Sequence, residues 1–331
     1  MLQQRDETQQ GFSLLELLIA MALSLLVIGG VVTLLIDAQR SQMLLQQQTR
    51  LQESARLALD IVLADLRQSG HAGCDWTSIN IANVVAPDSS NYLPPFPIVS
   101  GSNNVEDYGF DVVDGTDVLT LTVLESDPSW VISNQTSDAD STDFTLTAGS
   151  RIDAKYDNRI LAVVDSDCSQ LSLFRATRNS SSSISTHSDN CTHQLRGHFD
   201  CSDTSAASSD SQFSPDSRLY LFTQHSYAIR EQEDDDVKTI LLGRINSDAN
   251  SEVLVEGVTD LQLRYGLDTN DDDAVDRFVD AQHIRDSATL NFSQVVSVEI
   301  DVTVTSESPL KNGEPLSATL SSSVYLRNKG S

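Results

Sequence analysis

The side chain whose placement most needs a chemical explanation is Glu16, inside an apolar run that extends from Phe12 to Ile36. A carboxylate at bilayer depth costs on the order of 2.5–3.5 kcal/mol, so it requires a partner. The stretch Gly11-Phe12-Ser13-Leu14-Leu15-Glu16 offers one. A cut between Gly11 and Phe12 exposes a positive α-amine four residues ahead of Glu16. The two charges then neutralise each other, most economically between neighbouring subunits. An ordinary secretory signal reads differently, with a basic start, a short apolar core and a small-x-small site. Here Arg5 is offset by Asp6 and Glu7, the apolar run is long, and Ile36-Asp37-Ala38 is a poor cleavage site.

A second candidate chemistry is cation binding. In the stretch Asp268 to Asp276, Asp268, Asn270, Asp272 and Asp276 take positions one, three, five and nine of a calcium loop, and Ala274 offers a backbone carbonyl. Hard oxygen ligands at alternating positions let a tight loop turn them all toward one Ca²⁺. The pattern departs from an EF-hand at two places. Asp273 stands where glycine is usual, and Val279 stands where a bidentate Glu is usual, with Asp280 beside it. The competing reading is a solvated acidic turn between strands.

Four cysteines, Cys74, Cys168, Cys191 and Cys201, all follow the apolar run. In an N-in, C-out protein they lie outside the cytoplasm, where disulfides form, and three pairings are open. Cys191, His193, His198 and Cys201 also make a C-x-H-x4-H-x2-C cluster. Its spacing matches no standard zinc finger, and an oxidising compartment favours the disulfide. No nucleophile elbow, phosphate loop or zinc-protease helix is present. The histidines His71, His187, His193, His198, His225 and His283 show no partner spacing for catalysis, so no enzyme is expected.

Composition narrows the partners. With 21 Lys+Arg against 48 Asp+Glu the net charge is −27, which leaves no clustered positive charge for a nucleic-acid groove.

These groups must be positioned by an α+β chain. No proline occurs from Phe12 to Ser69. Phe12 to Ile36 is apolar all round, the pattern of a lipid-embedded helix. From Asp37 to Gly70 it becomes amphipathic, with Leu44, Leu51, Ala55, Ala58, Val62 and Leu66 in one stripe and Leu59 and Leu63 widening it. A continuous helix over both parts is roughly 85 Å long. Gly29-Gly30 suits close packing between helices. Residues 71–331 read as a β-rich head, with strands expected near 117–124, 143–147, 160–165, 171–176, 218–223, 237–245, 260–267, 295–305 and 318–327. Helix first and strands after is an α+β order. Pro87, Pro94, Pro95 and Pro97 mark an irregular connection, and the Ser/Asp-rich segment 179–216 is expected to be a long surface insertion.

The motif Gly11-Phe12 with Glu16 resembles that of the type IV pilins, and the chain as a whole is similar to the PilW family of minor pilins. The likeness rests on Gly11 to Gly30, Leu51 to Cys74, Gly115 to Val123, Val163 to Arg175, Leu254 to Asp272 and Ser321 to Asn328. It implies a type IV pilin fold, with residues 1–11 as a prepilin leader, 12–36 as a transmembrane helix, and 37–70 as a stem packed on an antiparallel sheet. It implies a prepilin peptidase that cuts after Gly11 and methylates Phe12, and a need for Glu16 in assembly. The implied setting is the inner membrane first and the pilus afterwards. The implied partners are other minor pilins, the major pilin and a tip adhesin. Glycine near position 30 also suggests a point of unwinding in a filament, although many pilins carry a proline there and this chain does not. Cys168 lies in one of the shared blocks and Cys74 ends the stem, which implies the pairs Cys74–Cys168 and Cys191–Cys201. The alternatives are a J-type pseudopilin of type II secretion, and a membrane-tethered periplasmic enzyme or ligand-binding protein.

Overall fold

The structure is a computed structural model that describes residues 14–71, 74, 79–88, 92–94, 97–138, 141–204, 212–234, 237–247, 250–309 and 315–327. Helix α1 (Leu14–Gln68) opens the described chain, and two compact units divide within it, one reaching Leu51 and the other starting at Gln52.

In the first unit every residue from 14 to 46 is exposed, including Leu15, Leu26 and Leu34. The apolar stretch satisfies its hydroxyls internally. Ser24 donates to the Ala20 carbonyl at 2.7 Å and Thr33 to the Gly30 carbonyl at 2.8 Å. The helix runs unbroken through Gly29-Gly30, where an added Cβ would meet no other group. Composition, rather than any break, separates the apolar stretch from the Asp37–Arg40 turn that follows.

In the second unit Ala55, Ala58, Leu59, Val62, Leu63 and Leu66 are buried, as their spacing predicts. Leu44, placed in the same stripe by sequence, is 40 % exposed because burial along the helix begins only at Leu51. The helix stops at Gly70, whose φ of +67° is the left-handed cap that glycine adopts without strain.

The strands of the head are β1 (Asn80–Asn83), β2 (Val99–Ser102), β3 (Val118–Ser137), β4 (Thr142–Leu146), β5 (Ile160–Val164), β6 (Gln170–Ser180), β7 (Ser183–Thr186) and β8 (Phe199–Asp200). They continue with β9 (Arg218–Asp234), β10 (Val237–Asn246), β11 (Ser251–Glu256), β12 (Val258–Leu267), β13 (Arg277–Val279), β14 (Val295–Pro309) and β15 (Pro315–Tyr325), and a short helix α2 (Ala281–Asp286) follows β13. They form an eleven-stranded sheet and a four-stranded antiparallel sheet of order β13-β12-β14-β15.

The larger sheet closes on itself. β3 pairs with β9 along Leu119 to Val131, and on its other side with β2 and then, from Ile132, with β4. β9 pairs with β10 over its second half and with β5 over Arg218 to Leu221. β5 leads to β6, β6 to β7, and β7 back to β4. The ring β3-β9-β5-β6-β7-β4 encloses Ile132, Phe144, Leu161, Val163, Phe174, Ile184 and Leu219, all buried. Phe144 and Phe174 pack with ring centroids 5.6 Å apart, and the Trp130 indole N–H donates to the Arg151 carbonyl at 2.9 Å.

Segment 179–216 differs from the surface insertion expected of it. β7 completes the ring, and Ile184, Leu195, Phe199 and Phe213 enter the core. These apolar residues are buried, and several of the described polar groups around them are hydrogen-bonded. Arg196 bonds the buried Asp165 carboxylate, which also accepts the Ser214 N–H and the Ser217 hydroxyl, each at 3.0 Å. These bonds outweigh the burial of Asp165 and hold its carboxyl below the usual carboxylate range. Residues 205–211 lie outside the described part.

Asp117 joins the two sheets. Its N–H donates to the Leu261 carbonyl at 2.9 Å, and its carboxylate accepts the N–H groups of Asn104 and Leu263 at 2.8 and 2.7 Å. Burial nevertheless raises its pKa. Nearby, a Cβ on Gly101 would overlap the Tyr265 hydroxyl, so this approach of β2 to β12 requires glycine.

Candidate functional site

Glu16 occupies the first turn of α1 and is exposed. A carboxylate in the first turn is favoured by the orphan N–H groups and by the positive end of the helix dipole. Gly11 and Phe12, the other two processing residues, lie outside the described residues. The first half of α1 is long and apolar enough to cross a membrane, and none of that window is buried.

The second half of α1 is held to the sheet by a charged cluster that sequence reasoning missed. The Tyr227 hydroxyl donates to Asp65, Arg244 Nη1 approaches the same carboxylate at 3.3 Å, and Arg244 Nη2 reaches Glu252 at 2.7 Å. Burial, with Asp65 second, raises the Tyr227 pKa. Burial opposes the Arg244 charge, but its bonds to Glu252 and Tyr227 prevail and keep it fully cationic. An acid beside the Val62/Leu66 stripe was the available signal. Its partners lie more than 160 positions away, at Tyr227 and Arg244, and no local pattern exposes them.

The disulfides are Cys74–Cys168 and Cys191–Cys201, with Cα–Cα distances of 5.6 and 5.7 Å. The first spans 94 positions and fastens the residues after α1 to the turn before β6. Chain-entropy arithmetic makes it worth about 5 kcal/mol, against about 3 kcal/mol for the ten-position loop. The second takes both sulfurs from the Cys191/His193/His198/Cys201 cluster, which ends its candidacy as a zinc site; His193 Nδ1 instead meets Thr186 Oγ1 at 2.7 Å.

The acidic turn connects β12 to β13. Asp268 accepts the N–H groups of Asn270, Asp271, Asp272 and Asp273. The Asn270 amide lies 3.3 Å from Asp272 Oδ2 and 3.4 Å from Asp276 Oδ1, so these three side chains converge. Thr269 donates to Asp276 through N–H and hydroxyl, which lowers the Asp276 pKa. Asp273 has φ +63°, the left-handed conformation that glycine supplies in an EF-hand. Asp280, the candidate substitute for the missing Glu, caps α2 by accepting the His283 N–H at 2.7 Å. Among the described residues no group of three or more His, Cys, Asp or Glu side chains is arranged to hold a metal ion.

An open groove of about 780 Å³ is lined by Asp111, Asp114, Arg230, Glu231, Glu233 and Val253 among others, and holds no histidine or cysteine. Of the histidines, His225 lies 3.4 Å from Glu125 and His187 lies 3.5 Å from Asp189.

An apolar helix with an acid in its first turn, followed by a helix segment packed on a head that is antiparallel except where β1 pairs with β6 and β8, is an arrangement like that of a type IV pilin. Residues 8–32 match the prokaryotic N-terminal methylation motif. Residues 226–326, which run from β9 through β15, match the family described as Type IV Pilus-assembly protein W. Over these two segments, residues 8–32 and 226–326, the chain is similar to PilW-family type IV pilins. No curated protein and no solved structure was found to match the chain.

Proposed function

We propose that the chain is a non-enzymatic minor pilin that helps initiate the type IV pilus and sits in its tip complex. Cleavage after Gly11 and methylation of Phe12 prepare it, and the head then contacts other minor pilins, the major pilin and a tip adhesin. Before assembly it rests in the inner membrane with its head outside the cytoplasm. The observation that carries this reading is Glu16, an acid in the first turn of an apolar helix and inside the methylation motif. On this account its carboxylate meets a methylated amine on a neighbouring subunit. The test is Glu16→Val: processing should persist while incorporation into sheared filaments is lost, and normal piliation would remove the account. Gene deletion separates the alternatives. Loss of pili and twitching is expected here, blocked exoprotein release would indicate a J-type pseudopilin, and turnover of a substrate by the protein would indicate a tethered enzyme.

A calcium ion at the acidic turn is a separate proposal, with Asp268, Asn270, Asp272, Asp276 and the Ala274 carbonyl as ligands. It is supported by the alternating spacing, the convergence of Asn270, Asp272 and Asp276, and the left-handed Asp273. The carboxylates already accept N–H groups, so an ion would share them with the backbone, as carboxylates with four lone-pair sites can.

A further inference from the structure

We propose that the free edge of β15 is a docking site for an extended strand of another pilus subunit, added to the four-stranded sheet by backbone hydrogen bonds. This rests on the pilin reading above for the identity of the partner, but the edge itself is defined by the register.

β15 pairs with β14 without interruption from Ser297↔Tyr325 to Thr305↔Ser317, and among the described residues it pairs with no other strand. The Leu326 N–H donates to the Val296 carbonyl at 2.8 Å, which fixes the phase of the ladder. In an antiparallel pair, hydrogen-bonded and non-hydrogen-bonded positions alternate. The even-numbered residues of β15 therefore turn their N–H and C=O groups to β14. Those of Ser317, Thr319, Ser321, Ser323 and Tyr325 face outward, and these same residues are exposed.

Native sheets protect such edges with charge, proline, short length or a covering element. β8 and β13 are two and three residues long, β11 carries Glu252 and Glu256, and the Gly101 carbonyl of β2 is taken by Arg285 at 2.6 Å. From Leu316 to Tyr325, β15 has no charge, proline or glycine. Leu316, Ala318 and Leu320 on its other face are only half-buried. A further strand would complete both deficits, pairing the backbone and extending the apolar row.

The occupant is specified by the same features. It is an extended segment with apolar residues at alternate positions, so that one side continues the row of Leu316, Ala318 and Leu320. It carries no net negative charge, since it must lie beside a sheet bearing Glu299 and Asp301 on a chain of net charge −27. That charge disfavours a second copy of this chain and favours a different subunit.

The test uses full-length protein extracted from membranes in mild detergent after photo-crosslinking, with a photoreactive residue at position 321. Mass spectrometry of the adduct should identify another pilus subunit. Capture of a second copy alone, or of no protein while the wild type still co-purifies with pilus subunits, would overturn the inference. Ser321→Pro provides a second measurement, because it deletes only an outward N–H and proline is tolerated on that side of an edge strand. Co-purification of pilus subunits should fall by about tenfold or more, with Ser321→Ala unaffected. Undiminished recovery with Ser321→Pro would refute the docking edge and leave the pilin reading intact. Absence of pilus subunits from the wild-type preparation would sink both.

Discussion

The Tyr227 hydroxyl donates to the Asp65 carboxylate, and Arg244 closes on the same group at 3.3 Å. One acid of α1 is thus gripped by neighbouring strands, β9 and β10, inside the part of the helix that belongs to the head. Apolar packing alone lets a helix slide by a turn at modest cost. A phenol and a guanidinium aimed at a single carboxylate do not.

Tyr227→Phe should therefore destabilise the head by about 1.5–3 kcal/mol, the range for hydrogen bonds to charged groups. Urea unfolding of the detergent-solubilised protein, followed by tryptophan fluorescence, measures it. Asp65→Ala should cost at least as much, since it leaves two donors facing each other. Unchanged midpoints in both variants would show that the cluster is idle.

Asp165 makes a pH prediction. Its folded-state pKa lies below the unfolded value near 3.8, so its contribution is fully present above that pH. The contribution is lost as pH falls through the folded value. Asp165→Asn should cost about 2–3 kcal/mol at neutral pH, since it unpairs Arg196 at a site where the acid is almost wholly enclosed. The gap between the variant and the wild type should close below about pH 4. Asp117, raised by burial, acts with the opposite sign, so thermal melts of the two proteins must be compared at each pH. A gap that widens with acid would reverse the assignment.

Tyr265 yields a prediction in the other direction. Its hydroxyl is buried against Gly101 with no hydrogen-bond partner among the described residues, and burial raises its pKa. Removing an unsatisfied buried group relieves its desolvation penalty. Tyr265→Phe should leave stability unchanged or raise it by about 1 kcal/mol. A loss of that size instead would mean that the hydroxyl has a partner.

Calcium at the acidic turn predicts a melting temperature that rises when Ca²⁺ is added to the chelated protein, because an ion bound only to the folded state stabilises it by mass action. Asp272→Ala should abolish the rise. An equal rise in that variant would place the ion elsewhere, and no rise in the wild type would leave the turn as a self-capped loop.

The uneven legibility of the chain has physical reasons. The α1 stripe from Ala55 to Leu66 was legible because helical periodicity is local, and most ring strands were legible as short β-rich runs, whether alternating as in β4 or apolar throughout as in β5. β3 was expected to end near Leu124 but runs to Ser137, past Pro128 and a register shift between Glu125 and Ser129. Irregularity of that kind reads as a break in sequence. β7 and the core residues of segment 179–216 were hidden by serine-rich composition, since Ile184 and Leu195 are buried singly among paired polar groups. At the candidate site the Glu16 motif was local and plain. The outward phase of β15 depended on a register that only the partner strand β14 fixes.

The closed circuit β3-β9-β5-β6-β7-β4 carries a mechanical implication. A sheet with two loose margins can be unzipped one ladder at a time, each rupture exposing the next. A hoop offers no first rung. Any tug reaching these six strands is shared around the whole circumference, so the barrel yields as one piece or holds.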